Sequence, residues 1–581
     1  MSVAQDSWRE AARRWLEVDP DPATRRELEG LLQAGDDAGI EERFAHPLRF
    51  GTAGLRAELG AGPARMNRLV VRRTTAALAT WLTARGEAGG GLVVGRDARH
   101  GSDAFAADAA AVAARFGVAV HALHRALPTP ITAFAVRHSG AAAGVMITAS
   151  HNPPHDNGYK LYLSDGAQVI PPYDAEVAAA ADVVDLDPSP PPGTAPAPLT
   201  HPFGDGDEQL LEAYRRMALA LVDPEGPREL TVVYTPLHGV GGAVLPGLLA
   251  AAGFADVRPV ATQAAPDPDF PTVRFPNPEE PGTLDLALAS ARRSGADVMI
   301  ANDPDADRLA VAVPDGSDWR VLSGNELGIL LADHLLAVST GEPRLVATSL
   351  ASSRMLAALA ADAGVAYEET PTGFKWIARA GRRHPGHRLV LGYEEALGYA
   401  VSEAVADKDG MTAALVVAEM AARDRAEGRS MLERLDALHA RLGVHLTTQW
   451  SIRADGEDGG EGEDTEAGMA RLSGLIAAWR GDPPTAFAGR PVTEVVDLAA
   501  GYRGYPPTDG MILELGRGEG RLVLRPSGTE PKLKLYLEAI TPPPGLDGLA
   551  AARDHATAAL DALRGDVAAA LDAGLRAARR P

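Results

Sequence analysis

"ADVMIANDPDADR", Ala296–Arg308, is an apolar run that ends abruptly in a string of carboxylates. A short apolar run bounded by turn residues reads as a buried strand of a parallel sheet. The pattern recurs three times. "GVMI" runs into "TASHNP" (Gly144–Pro153), "RLVL" into "GYEEALGY" (Arg388–Tyr399), and a second "RLVL" into "RPSGTEPK" (Arg521–Lys532). Valine-rich runs alternate with longer Ala/Leu-rich helical patterns, which predicts an α/β protein with mostly parallel sheets. Open α/β sheets bind ligands beyond the carboxyl ends of their strands. Four polar clusters, roughly one per domain, predict loops that converge on one cleft between domains.

The chain has 581 residues, of which 46% are hydrophobic. At ~100–200 residues per domain, three or four domains follow. Two segments interrupt the α/β pattern: the Pro-rich Asp185–Glu208, and the acidic, Gly-rich Arg453–Gly468. With a third break near residue 315 they predict domains at 1–200, 201–315, 316–445 and 446–581. Cysteine is absent, which excludes disulfides and thiol nucleophiles and fits a reducing cytoplasm. The N-terminal stretch lacks the apolar core of a signal peptide, and no uncharged apolar run reaches the ~18 residues of a membrane span. A soluble, cytoplasmic chain is expected. A net charge of −22 disfavours nucleic acid and anionic membranes as partners, so an anionic substrate needs a locally built positive site.

Asp303, Asp305 and Asp307 alternate behind the strand, and alternation in an extended loop would point three carboxylates one way. Three hard oxygen ligands suit Mg²⁺. The loop is no EF-hand, because its sixth position is Arg308 and its twelfth Pro314. In "RPSGTEP", Arg525 offers a fork matched to phosphate oxygens. Ser527 and Thr529 add hydroxyls, and Gly528 admits close backbone approach. Glu394 and Glu395 can accept hydrogen bonds from sugar hydroxyls. Lys375 in "TPTGFKWI" and Arg56 in "FGTAGLR" are weaker candidates. Pro153 and Pro154 prevent a helix that would align His151 and His155 as metal ligands.

Ser150 lies in no hydrolase elbow, yet shares the chain with a carboxylate triad and an anion nest. It can carry a phosphoryl group whose charge a metal offsets. His151 and Asn152 can orient the hydroxyl, and Lys160 can move a substrate proton if its pKa is lowered.

With "TASHNP", "DPDADR", "EEALGY" and "RPSGTEPK" in this order, the chain resembles the α-D-phosphohexomutases, the phosphoglucomutases and phosphomannomutases. The resemblance implies four domains around a central cleft: three similar mixed α/β domains and a more mobile C-terminal α+β domain. It implies phosphoserine at Ser150, which also faces the metal, and one Mg²⁺ on Asp303, Asp305 and Asp307. Acid/base work would fall to Lys160, with Arg56 and Arg308 beside the transferring phosphate. Glu394 would bind the sugar, and Arg525, Ser527, Gly528 and Thr529 the other phosphate. Glucose 1,6-bisphosphate would be activator and intermediate.

Ala396 stands where many relatives have serine, and Phe374 where some phosphomannomutases have histidine. "FGTAGLR", "TGFKW" and "GYEEALGY" look more like the phosphoglucomutase branch that includes phosphopentomutases. Interconversion of glucose 1-phosphate and glucose 6-phosphate is expected, with pentose or mannose phosphates as alternatives. A hydrolase with Asp303 as nucleophile would leave Ser150 without a task, and an inactive sugar-phosphate sensor would lack a visible defect.

Overall fold

The computed structural model describes residues 3–49, 54–190, 192–200, 203, 207–341, 343–453, 465–526 and 532–577. The chain forms two compact units. One holds Met1–Leu322 and Ala396–Arg423; the other holds Ser323–Glu395 and Asp424–Pro581.

The first unit contains two sheets. The first comprises β1 (Leu55–Glu58), β2 (Leu92–Arg96), β3 (Val120–Ala122), β4 (Ala143–Ile147), β5 (Asp156–Leu163) and β6 (Leu199–Thr200), in the order β1-β5-β4-β2-β3-β6. β4, β2, β3 and β6 are parallel, whereas β5 runs antiparallel to β4, and β1 to β5. Helices Arg68–Ala84 and Ser102–Arg115 share one core with this sheet, where Leu78, Leu82, Phe105 and Val112 join Val94, Val145 and Ile147. Helix Thr129–Ser139 also packs on β2 and β4. Cover of this kind explains the unbroken apolar runs.

The second sheet orders β7 (Thr231–Thr235), β8 (Asp256–Pro259), β9 (Val298–Ala301), β10 (Ala310–Asp315) and β11 (Asp318–Val321) as β11-β10-β9-β7-β8. Here β8, β7 and β9 are parallel, and β10 and β11 antiparallel. The expected parallel sheets are therefore parallel centres with antiparallel flanks. The Ser150 loop and the aspartate loop each turn a parallel strand, β4 or β9, into its antiparallel neighbour, β5 or β10.

Three of the expected boundaries meet secondary structure. The Pro-rich stretch contains β6, which pairs with β3. Pairing of Asp315 with Asp318 makes residue 315 part of a hairpin, and the second sheet runs on to Val321. The break at 445 falls within a strand that begins at Val444.

In the second unit β12 (Arg344–Ser349) lies parallel to β13 (Ala366–Thr370) and β14 (Arg388–Glu394). Strand β15 (Gly398–Ala400) belongs to the returning segment of the first unit. Next come β16 (Val444–Arg453), β17 (Ala486–Phe487), β18 (Arg490–Asp497), β19 (Met511–Leu515), β20 (Gly520–Pro526) and β21 (Lys532–Thr541). They form an antiparallel sheet in the order β16-β21-β20-β19-β18-β17. Alternation gives this sheet two buried faces. Leu533, Leu535 and Leu537 pack with Leu563 and Val567 of helix Gly545–Ala577, while Val523 and Tyr536 pack with Leu350 and Ala351.

A buried polar chain crosses the same unit. Glu538 accepts from Ser353 Oγ (2.7 Å), Arg354 N (2.9 Å), Arg354 Nε (2.8 Å) and His445 Nδ1 (3.1 Å). Arg354 also reaches Glu514, which Arg521 ties to Glu369. Burial alone would raise the Glu538 pKa, but His445 and Arg354 outweigh it and hold the carboxyl at about 2. Since an unfolded glutamate titrates near ~4.3, this contribution is present above that pH and is lost as pH falls through about 2. Glu538→Gln should cost ~1–3 kcal/mol at pH 7 and less in acid. Urea unfolding at pH 7 and pH 3 tests this, and an equal loss at both would deny the charge its role.

Candidate active site

Ser150 sits in the loop from β4 to β5 at φ +53°, a left-handed conformation costing ~1–2 kcal/mol for a residue with a side chain. Its N–H donates to Thr148 Oγ1 at 2.9 Å. Its hydroxyl donates to Asp303 Oδ2 at 2.8 Å and lies 3.2 Å from His151 Nδ1. Ser150 is 3% exposed. The serine loop and the aspartate loop thus meet at the carboxyl ends of β4 and β9.

The three aspartates are buried, and one oxygen from each lies within 4.8 Å of the others. Their convergence arises differently from the extended alternation expected. Ala306 takes φ +55° and its N–H bonds to Asp303 O at 2.8 Å, so the loop turns tightly around the carboxylates. Arg308 N donates to Asp303 Oδ1, and Thr129 Oγ1 to Asp305 Oδ2 at 2.6 Å. A Cβ on Gly410 would stand 2.3 Å from Arg308 O, so only glycine lets the following helix start against this turn.

Lys160, on β5, donates to Asp305 Oδ2 at 2.7 Å and Asp307 Oδ2 at 2.8 Å. A lowered pKa, the condition for its proton role, is not met with the carboxylates in this arrangement. Burial pushes it down, but Asp305 and Asp307 outweigh burial and raise it. Asp303 goes the other way: burial first, then Asp305 and Asp307, lift its pKa well above the usual carboxylate range. Asp305 Oδ1 and Asp307 Oδ1 are buried and accept no hydrogen bond among the described residues. Crowded hard oxygens with lone pairs to spare fit a small divalent cation such as Mg²⁺.

Arg56, on β1, donates to Asn152 Oδ1 at 2.8 Å, and Arg308 to Glu279 Oε2 at 3.0 Å. Burial, then Arg308 and Arg56, lower the His151 pKa well below 6.5, which leaves a neutral ring beside Ser150. Lys408 and Asp407 escaped the sequence reading. Lys408 Nζ lies 3.4 Å from Asp307 Oδ2, and Asp407 Oδ2 accepts from Tyr162 and Gln168. Their signal was the charged "DKDG" (Asp407–Gly410), one hundred residues from the triad in sequence and silent about its partner.

In the second unit, Gly373 N donates to Glu394 Oε1 at 2.7 Å, which joins "TPTGFKWI" to "GYEEALGY". Gly373 adopts φ +111°, open to glycine. Lys375 is buried nearby on the short helix Phe374–Ile377. Glu395 is held by Ser349 (3.0 Å) and Ser352 (3.1 Å). Arg525 is half-buried on β20, whereas Ser527, Gly528 and Thr529 lie outside the described residues.

Models of the phosphoglucomutase/phosphomannomutase α/β/α domains I, II and III match residues 47–186, 212–316 and 323–441, and that of the C-terminal domain matches 512–556. A probable phosphomannomutase from Haemophilus influenzae is 39% identical over 82% of this chain and 93% of its own. The chain belongs to the phosphoglucomutase/phosphomannomutase family. A mouse phosphopentomutase is 34% identical over 95% of this chain and 93% of its own. The fold matches that of a phosphoglucomutase/phosphomannomutase family protein from Burkholderia thailandensis, with TM-score 0.67, 21% identity, and coverage of 90% of this chain and 97% of that one. This family's four domains, three α/β and one C-terminal, are those of the sheets described above. Among the described residues no helix is long and apolar enough to cross a membrane.

If the triad holds a cation, Asp305→Ala should weaken Mg²⁺ binding by more than the ~10–100-fold that outer-shell partners command. Calorimetric titration of the whole chain with Mg²⁺ tests this; unchanged affinity would remove Asp305 from the metal site.

Proposed function

We propose that the chain is a Mg²⁺-dependent phosphosugar mutase that interconverts glucose 1-phosphate and glucose 6-phosphate in the cytoplasm. The observation that carries the chemistry is the Ser150 hydroxyl, buried and aimed at Asp303 within the carboxylate triad. Membership of a mutase family supports the reaction class.

In the first half-reaction the O–P bond of phosphorylated Ser150 breaks and a bond to a sugar hydroxyl forms. Lys160, acting from its free-amine form, takes the hydroxyl proton as the new O–P bond forms, and the resulting ammonium returns that proton to the departing Ser150 oxygen, which leaves as the hydroxyl. Arg56 and Arg308 bind the phosphoryl oxygens in flight. A divalent cation on Asp303, Asp305 and Asp307 would supply positive charge to those oxygens and loosen the hold of Asp305 and Asp307 on the Lys160 proton. Glu394 accepts from sugar hydroxyls, with Lys375 beside it. Arg525, Ser527, Gly528 and Thr529 bind the phosphate that stays. Glucose 1,6-bisphosphate then turns over, and its other phosphate returns to Ser150.

Pentose 1-phosphates form a second reading, favoured by the likeness to mouse phosphopentomutase along nearly the whole chain. Every catalytic assignment survives that change of sugar. The test is turnover with Mg²⁺ and a trace of bisphosphate on glucose, mannose, ribose and deoxyribose 1-phosphates. A preference for glucose is expected, a pentose preference selects the second reading, and turnover of none overturns both. Ser150→Ala should lose ~10⁴-fold or more in kcat; near-normal activity would end the carrier role.

A further inference from the structure

The Ser150 loop presents a main-chain problem. Pro153 and Pro154 bring no N–H groups, and although Asp156 N reaches Pro153 O at 3.1 Å, four carbonyls in or beside the turn have lone pairs open to further donors. One buried side chain from another strand end supplies them. Arg99 Nη2 donates to Ser150 O and Asn152 O, both at 2.6 Å, and Nη1 to Pro153 O at 2.7 Å and Asp156 O at 3.2 Å. Its side chain is 1% exposed.

Arg99 is itself fixed. Its Nε lies 3.4 Å from Asp97 Oδ2, and its own N–H donates to Asp97 Oδ1 at 3.0 Å. Ser102 Oγ donates to the same oxygen, and Asp97 N bonds to Ile147 O at the end of β4. On the other side the Phe270 ring centre lies 4.9 Å from the guanidinium carbon. The adjacent His100 pairs with Asp269 at 2.7 Å. The clamp therefore touches the serine loop, the first sheet and a loop of the second sheet's domain.

We propose that Arg99 is a positioning residue for phosphoryl transfer, holding the Ser150 main chain in its left-handed turn so that the hydroxyl faces the triad. The inference rests on Ser150 being the carrier. Arg99 grips carbonyl oxygens and leaves the hydroxyl alone, so its hold is the same whether or not Ser150 bears a phosphoryl group. A planar fork with five donors can serve four carbonyls at once; an ammonium with three cannot. A purely structural arginine would instead lower the folded fraction and leave turnover per folded molecule intact.

The experiment compares Arg99→Lys, Asp97→Asn and Ser150→Ala in the full chain. It measures kcat, KM, phosphoserine content by intact mass, and melting temperature. Arg99→Lys should lose ~10²-fold or more in kcat per folded molecule with KM within about threefold, because an ångström of misplacement costs about that much. Asp97→Asn, which spares the four carbonyl bonds but loosens the anchor, should lose ~10-fold in kcat at unchanged KM. A kcat per folded Arg99→Lys molecule within about threefold of wild type overturns the proposal. Should Arg99→Lys fail to fold, Asp97→Asn decides: a reduced kcat upholds the proposal and an unchanged one overturns it. Ser150→Ala separates the two failures. Its continued turnover would overturn the carrier reading and this inference with it. An inactive Ser150→Ala beside a fully active Arg99→Lys would overturn the inference alone.

Discussion

Three carboxylates buried within a few ångströms of one another repel strongly, and the first unit is built around offsetting that repulsion. Lys160 bridges two of them, Lys408 approaches one, and Asp303 responds by holding its proton more tightly. The Ser150 hydroxyl and the Thr129 hydroxyl donate into the same cluster. Each donor comes from a different stretch of chain, so the charge problem draws the first sheet, the second sheet and the returning segment to a common point. The feature that makes the site costly is also what makes it receptive to a cation and a phosphoryl group.

The backbone carries its share of the cost. Ser150 and Ala306, one in each hairpin connection, both adopt left-handed conformations although neither is glycine. Strain of this kind persists only where surrounding contacts over-determine it. For Ala306 these are the turn bond to Asp303 and the donors on its flanking carboxylates. For Ser150 they include the Thr148 hydroxyl below and the Arg99 fork around its carbonyls. Rigid sheet ends on both sides of each loop keep the two strained residues in register.

Much of this was legible in sequence because the informative residues are local. "TASHNP" and "DPDADR" each sit on one turn after one strand, and apolar runs with polar termini give away both the strand and its reactive end. What stayed hidden was nonlocal or conformational. Lys408 and Arg99 look like ordinary charged loop residues until the fold brings them to Asp307 and to the Ser150 carbonyls. Nor does spacing reveal that Ala306 turns back on itself, since alanine carries no mark of positive φ. The Lys160 pKa followed the same rule: burial could be foreseen, but not the two aspartates that reverse its effect.

The discontinuity of the first unit has a consequence for synthesis. The triad and the serine loop are complete in the chain once Leu322 has been made, but Asp407, Lys408 and Gly410 arrive only with the segment that ends at Arg423. At ~5–20 residues per second the ribosome spends roughly 5–20 s between those points. For that interval the carboxylate turn has Lys160 but lacks both the second ammonium, Lys408, and the helix start packed on Arg308. The reactive centre is thus encoded early and closed late, and a nascent chain stalled in between would expose a charged, half-built site.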